Sequence, residues 1–173
     1  MTHVPPQLAD RRVLVTGATG FLGGHLAAGL AGAVDLHVSS RSVPWGPVAG
    51  HWHRADLSDP AQTDALFAEV RPQIVVHLAG LSSAAGNLDQ ARATVRDNLV
   101  ATMNVLVAAT TVGAERVVVP GSLDEPSTVD EPPSSAYAVA RQAVSQSVRL
   151  FHAVHGLSVV TARVFMAYGH GMA

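Results

Sequence analysis

Thr16-Gly17-Ala18-Thr19-Gly20-Phe21-Leu22-Gly23 constrains the fold of this 173-residue chain more than any other segment. Residues 12–15, Arg-Val-Leu-Val, precede it and read as a short buried strand. Leu22, Leu26 and Leu30 follow it at helical spacing. The order is therefore strand, glycine turn, helix, and that context gives a glycine pattern its meaning. Gly17 permits the tight turn, Gly20 lets backbone approach a pyrophosphate, and Gly23 lets the helix pack close to the strand. The free N–H groups at the start of the helix then face the anion.

The rest of the chain alternates in the same way. Strands are predicted at residues 34–39, 51–55, 74–78, 116–119 and 157–164. Helices are predicted after Asp59-Pro60, where Asp59 fits an N-cap and Pro60 the first turn, and over residues 87–110 and 134–155. The first of these stops before Pro72. Such alternation implies an α/β domain: a Rossmann-type, doubly wound parallel sheet of six strands with helices on both faces. Residues 1–10 read as an N-terminal tail and residues 11–173 as the nucleotide-binding domain. Nothing after the sixth strand would build a separate substrate domain, and the stop at Ala173 reads as a truncation.

Composition narrows the function classes. The net charge is −2 with no basic stripe, which argues against nucleic acid. There is no cysteine, hence no disulfide and no thiolate metal site. No stretch approaches the ~18 apolar residues of a membrane span, and the first residues lack the apolar run of a signal peptide. The reading is a cytoplasmic protein.

Six further motifs follow the glycine turn in order: Asp56-Leu57, His77-Leu78-Ala79-Gly80, Asn98-Leu99-Val100-Ala101-Thr102-Met103-Asn104, Gly121-Ser122, Tyr137-Ala138-Val139-Ala140-Arg141 and Arg163-Val164-Phe165-Met166-Ala167-Tyr168-Gly169. Together they resemble the extended short-chain dehydrogenase/reductases, in particular the NAD-dependent epimerase/dehydratase family that works on nucleotide sugars. The resemblance covers roughly residues 10–171. It implies that Gly17, Gly20 and Gly23 hold the pyrophosphate, with backbone contacts from Phe21 and Leu22. It implies that Asp56 and Leu57 lie at the adenine, and that Ala79 and Gly80 line a ribose. Ser122 and Tyr137 match the family's catalytic hydroxyls, and Asn98 matches a structural helix amide.

Both hydroxyls can donate to an oxygen that gains negative charge during hydride transfer. A free tyrosine has a pKa near ~10, and a nearby cation favours its phenolate. The family's cation is a lysine one helical turn after the tyrosine. Arg141 stands at that position here, a planar and bulkier cation with a different reach. The resemblance gives it catalytic and ribose-binding roles. Ser127, Ser134 and Ser135 rival Ser122 as the donor.

The end of the second strand bears on the cofactor. NAD-selective sites place an acid there for the ribose 2′-OH. This chain has Ser39-Ser40-Arg41-Ser42 and no acidic residue between Asp35 and Asp56. Ser40 and Arg41 suit a 2′-phosphate, so NADP(H) is expected over NAD(H). The pairs His51/His53 and His152/His155 lack a third ligand and read as surface histidines, so no metal is expected. Arg92 and Arg96 read as a solvated helix face, and Trp45 and Trp52 as closing the loop before the third strand.

The functional expectation is an oxidoreductase, epimerase or dehydratase that acts on a nucleotide-linked sugar through a Tyr acid/base. The alternative is a dinucleotide-binding module with little catalysis. The resemblance also implies a homodimer through the two long helices.

Overall fold

The computed structural model describes residues 5–44, 46–81, 88–126, 128 and 130–172. Six strands form one sheet in the order β3-β2-β1-β4-β5-β6, every neighbouring pair parallel. They are β1 Arg12–Thr16, β2 Asp35–Ser40, β3 His51–Arg54, β4 Ile74–His77, β5 Arg116–Ser122 and β6 Val159–Val164. Val13, Leu14 and Val15 of the central β1 are buried, as an apolar run covered on both faces requires. The order reverses between β1 and β4, so the loops at their C-terminal ends splay apart and open a crevice.

Helices cover both faces. On one face α1 (Phe21–Leu30) packs Ala27 and Leu30 against Val13, Val15, Leu36 and Val38. On the other, α2 (Pro60–Val70), α4 (Ala101–Val112) and α5 (Ala136–His155) enclose the larger core around Phe67, Val75, Leu106, Val117 and Val144. Phe67 is fully buried there. Truncating such a ring typically costs about 3–5 kcal/mol.

The expected N-cap holds: the Asp59 carboxylate accepts from the Ala61 and Gln62 N–H groups, with Pro60 in the first turn. Helix α2 ends at Arg71, whose left-handed backbone (φ 45°) directs the chain into β4 just past Pro72.

Several boundaries differ from the sequence reading. β2 lies one residue later, and α5 starts two residues later, at Ala136, because Ser135 caps it by accepting from the Ala138 N–H. β3 and β4 each end one residue earlier. β6 starts at Val159, two residues later, since Leu157 closes the α5 terminus with its N–H on the Phe151 carbonyl. β5 runs on through Pro120 and Gly121 to Ser122, because β6 pairs with it that far.

The largest difference lies in the helix predicted over 87–110. It is α3 (Leu88–Val95), a single wide π turn (Arg96–Val100) and α4, ending at Gly113 (φ 72°). Periodicity alone does not reveal one inserted residue in a helix. Its predicted start at Gly86-Asn87, Trp45, Ser127, the first four residues of the tail and Ala173 lie outside the described residues.

Candidate functional site

The crevice beside the glycine turn is a cleft of about 250 Å3 lined by Gly17, Thr19, Gly20, residues 39–42, residues 55–58, residues 78–80, Asp97 and Ala101. Gly17 and Gly20 line it, and neither Gly17 nor, behind it, Gly23 has room for a Cβ. At Gly17 (φ 71°) a Cβ would lie 2.5 Å from the Ala79 nitrogen, and at Gly23 2.2 Å from the Gly17 carbonyl oxygen. Gly20 donates its N–H to that same carbonyl at 2.9 Å and forms the N-cap of α1, which no side chain caps. The first helical N–H groups are thus left for an anion. Gly17, Gly20, Ser40, Arg41, Asp56, Leu57, Ala79 and Gly80 all line the cleft. Phe21, Leu22 and Gly23 are not among its lining and form the first turn of α1 behind it.

The adenosine end differs in detail from the sequence reading. The Ser40 hydroxyl is committed internally: it donates to the Ser42 carbonyl and accepts from the Trp52 indole N–H. The hydroxyl left without a partner among the described residues is that of Ser39, buried in the cleft wall. Ser39 lines the cleft while its hydroxyl oxygen is itself buried, so a bound polar group would satisfy it only after a side-chain rotation. Arg41 is held by Asp97, with Nη1 2.8 Å from Oδ2, and Arg96 grips the other oxygen of the same carboxylate at 2.7 Å. Arg96 is therefore not simply a solvated helix residue. The π turn places Asp97 in the cleft lining, with Arg96 on its carboxylate. Burial pushes the Asp56 carboxyl upward, but hydrogen bonds from the Ser58 N–H and O–H outweigh that and, with Arg41 and Arg96, hold it below the usual range.

The catalytic candidates stand next to this cleft. Ser122 is buried at the end of β5, and Tyr137 and Arg141 lie one turn apart near the start of α5. Gly80 joins the two regions: a Cβ there would lie 2.5 Å from Asn98 Oδ1 and 3.3 Å from Arg141 Nη2.

Arg141 is buried, donating from Nη1 to the Pro120 carbonyl and from Nη2 to Asn98 Oδ1, while its Nε has no partner among the described residues. Its guanidinium lies 5.1 Å from the centroid of the Tyr137 ring. It therefore meets the tyrosine through the ring face, by a cation–π contact. The Ser122 hydroxyl accepts from the Asp124 N–H at 3.2 Å and donates to Asp124 Oδ2 at a long 3.4 Å. Of its rivals, Ser135 is committed to capping α5, and Ser134 is exposed.

Sequence reasoning missed four residues here. Asn98, read from the sequence as a structural helix amide only, is fully buried on the π turn and touches Arg141 beside Tyr137. Asp97 anchors the two arginines. Glu125 is a buried carboxylate that accepts from the Ser122 N–H at 2.7 Å and the Ser145 hydroxyl at 2.6 Å, pinning the strand end that carries Ser122. Ser39 was passed over for its neighbour. The Asp-Glu pair directly after Ser122-Leu123 was a visible signal for Glu125. Asp97 and Asn98 depend on a turn width that no local pattern reports, and Ser39 on the Trp52 contact that engages its neighbour.

Among the described residues, no group of three ligating side chains lies together at the histidine pairs. His53 instead faces His37 at 2.9 Å on the neighbouring strand, and His152 bonds the Leu157 carbonyl. No helix among the described residues is long and apolar enough to cross a membrane.

A family model described as "NAD dependent epimerase/dehydratase family" matches residues 13–173. The chain is 30% identical to the GDP-6-deoxy-D-mannose reductase of Pseudomonas aeruginosa over 93% of its own length and 54% of the relative's. It is 32% identical to the dTDP-glucose 4,6-dehydratase of Streptomyces griseus, covering 91% of this chain and 54% of that one. Among solved structures, the Thermus thermophilus UDP-glucose 4-epimerase in complex with NAD superposes with a TM-score of 0.76 at 27% identity, covering 88% of this chain and 54% of the other. The chain thus spans about half the length of the relatives it matches.

Proposed function

Because the chain belongs to the NAD-dependent epimerase/dehydratase family, we propose that it binds a nicotinamide dinucleotide along the Gly17–Gly20 cleft and serves hydride transfer on a nucleotide-linked sugar. The observation that carries this reading is the glycine turn: Gly17 packs so closely on the Ala79 backbone that it admits no Cβ, and it lines a cleft that reaches the uncapped start of α1. The residues fit the cofactor. Gly17, Gly20 and the N–H groups of α1 would hold the pyrophosphate. Ser39, Asp56 and Leu57 would meet the adenosine, and Ala79, Gly80 and Arg141 the nicotinamide ribose. The bound nicotinamide would supply or accept a hydride.

The chain's own groups would manage the oxygen at the reacting carbon. The Tyr137 hydroxyl passes a proton to or from it. Ser122 exchanges its long bond to Asp124 for a donor contact to that oxygen, which stabilises the charge that builds there. Arg141 holds a fixed positive charge against the ring. Asn98 and Pro120 keep it from swinging out, since two of its donors are already engaged.

A preference for NADP(H) belongs to the same proposal. Arg41 lines the cleft and is half exposed beyond its contact with Asp97. Arg96 stands on the same carboxylate. The two guanidiniums face two carboxylates, Asp97 and Asp56, so the support for a 2′-phosphate is the exposed half of the Arg41 side chain and its remaining N–H donors.

A homodimer through α4 and α5 is also proposed. Val139, Leu150 and Val154 form an exposed apolar stripe on α5, and Val100 and Val107 are exposed along the wide turn and α4. Light scattering should give twice the chain mass at micromolar concentration. A monomer there contradicts it.

The test of the function is NADPH oxidation with 4-keto nucleotide sugars. General acid–base catalysis is typically worth ~10²–10⁴-fold, so Tyr137→Phe should lose that much turnover and keep its affinity for NADPH. Equal turnover in wild type and Tyr137→Phe removes the catalytic assignment. Tight NADPH binding with no turnover in either favours the alternative, a dinucleotide-binding module, which the ring-face placement of Arg141 also suits.

A further inference from the structure

His77 closes β4, and its ring is fully buried between two threonines. Nδ1 lies 2.8 Å from Thr16 Oγ1 at the end of β1, and Nε2 lies 3.1 Å from Thr102 Oγ1 on α4. The protons in this line can be assigned without choice. The Thr102 hydroxyl donates to the Asn98 carbonyl, one turn back at the π turn. Its oxygen must then accept from His77, so the ring carries its proton on Nε2. Nδ1 is left as an acceptor, and the Thr16 hydroxyl donates to it. The Thr16 oxygen in turn accepts the Ala79 N–H. One ladder results: Ala79 N–H to Thr16, Thr16 to His77, His77 to Thr102, Thr102 to the Asn98 carbonyl. Every polar group in it is satisfied once, and the opposite tautomer would leave Thr102 with two acceptors and one proton.

Asn98 continues the line through its side chain. Its Nδ2 donates to the carbonyls of Leu81 and Thr94, which forces Oδ1 toward Arg141 Nη2 at 3.0 Å. The ladder therefore begins at the backbone that faces the glycine turn and ends on the guanidinium beside Tyr137. It crosses the one place where the helix departs from α geometry, and the Thr102 hydroxyl supports a carbonyl of that wide turn. Wide turns of this kind persist where side chains hold them and are frequent at functional sites.

We propose that His77 is a positioning residue: through Thr102 it fixes the wide turn that carries Asn98, and so sets where Arg141 stands between Tyr137 and Gly80. The assignment of Tyr137 and Arg141 to the chemistry rests on the reading above; the positioning itself does not. A ring nitrogen is needed at both ends because one neighbour must receive a proton and the other must give one. A neutral imidazole does both in one rigid plane.

The test uses the full chain and pairs spectroscopy with kinetics. In the wild type, 15N shifts of the His77 ring should report protonated Nε2 and bare Nδ1, unchanged from pH 8 to pH 5. Thr102→Val removes the hydroxyl at nearly constant shape, and Thr102→Ser keeps it. The Asn98 side-chain amide and the Arg141 Nε–H resonances should move or broaden in Thr102→Val and stay near their wild-type positions in Thr102→Ser. In a wild type that turns over, kcat should drop by up to ~10²-fold in Thr102→Val, with the NADPH KM little changed and Thr102→Ser near normal. A merely structural threonine would lower melting temperature without this split. A His77 ring protonated on Nδ1 overturns the proposal and needs no variant. So do unmoved Asn98 and Arg141 resonances in Thr102→Val, or equal effects of Val and Ser. A wild type without turnover counts against the catalytic reading alone, because the resonances still decide the positioning.

Discussion

At the scale of single residues, the site is governed by which polar groups are already engaged. Ser40 and Ser39 are neighbours of identical chemistry, yet Trp52 and the Ser42 carbonyl occupy one and leave the other free. Arg41 is engaged as well, but its partner Asp97 is shared with Arg96. Arg41→Ala should therefore weaken NADPH more than NADH, by about the 1.5–3 kcal/mol of one hydrogen bond to a charged group. Competitive fluorescence titration of the two cofactors measures it. An unchanged ratio of affinities contradicts the role given to Arg41. The glycine turn was legible in the sequence because its spacing is set by the strand–turn–helix unit it closes, whereas Ser122, Tyr137 and Arg141 were picked out by the family resemblance. The contacts of Asn98 with Arg141 and of Asp97 with Arg41 were not legible, because those partners lie 43 and 56 residues away and only the folded chain brings them together.

At the scale of elements, β1, the glycine turn and α1 act as one unit. Gly23 is the tightest contact within it: its Cα side meets the Gly17 carbonyl where a methyl group would sit 2.2 Å away. Backbone offers no flexible end to yield, so Gly23→Ala must push α1 off the strand. The expected result is loss of dinucleotide affinity by tenfold or more, together with a lower urea midpoint, since overpacking typically costs about 1–3 kcal/mol. Gly24→Ala is the control: its Cβ would sit 3.5 Å from the Ala18 carbonyl, an ordinary contact. Equal behaviour of the two variants contradicts the packing argument. Strand and helix types were readable from apolar runs and helical spacing. The extension of β5 to Ser122 was not, because pairing with β6 decides it. The wide turn at Arg96–Val100 was not either, because an added residue preserves the apolar face on each side of it.

At the scale of the whole molecule, two histidines couple stability to pH. Burial, with a small push from Arg141, lowers His77 to about 3. Burial also lowers His37; His53, His51 and Arg12 add to that while Asp35 opposes it. In the unfolded chain both titrate near ~6.5. Below that pH the unfolded state binds protons that the folded state refuses, so stability is full above it and falls as pH drops. His77 alone contributes about 1.4 kcal/mol per pH unit once its unfolded form is protonated, continuing to near pH 3. Urea midpoints should therefore decline from pH 7 to pH 5, and a flat profile contradicts the buried, neutral His77. The six-strand order, the crevice where it reverses and the uncapped α1 all lead to one claim, that the chain takes up a nicotinamide dinucleotide. Calorimetric titration of NADPH and NADH into the wild type and Gly17→Val tests it most directly. The account predicts saturable binding to the wild type, tighter for NADPH, and its loss in a Gly17→Val variant that still gives a cooperative unfolding transition. A folded wild type that binds neither cofactor at millimolar concentration, or a Gly17→Val variant that binds as well as the wild type, would contradict it.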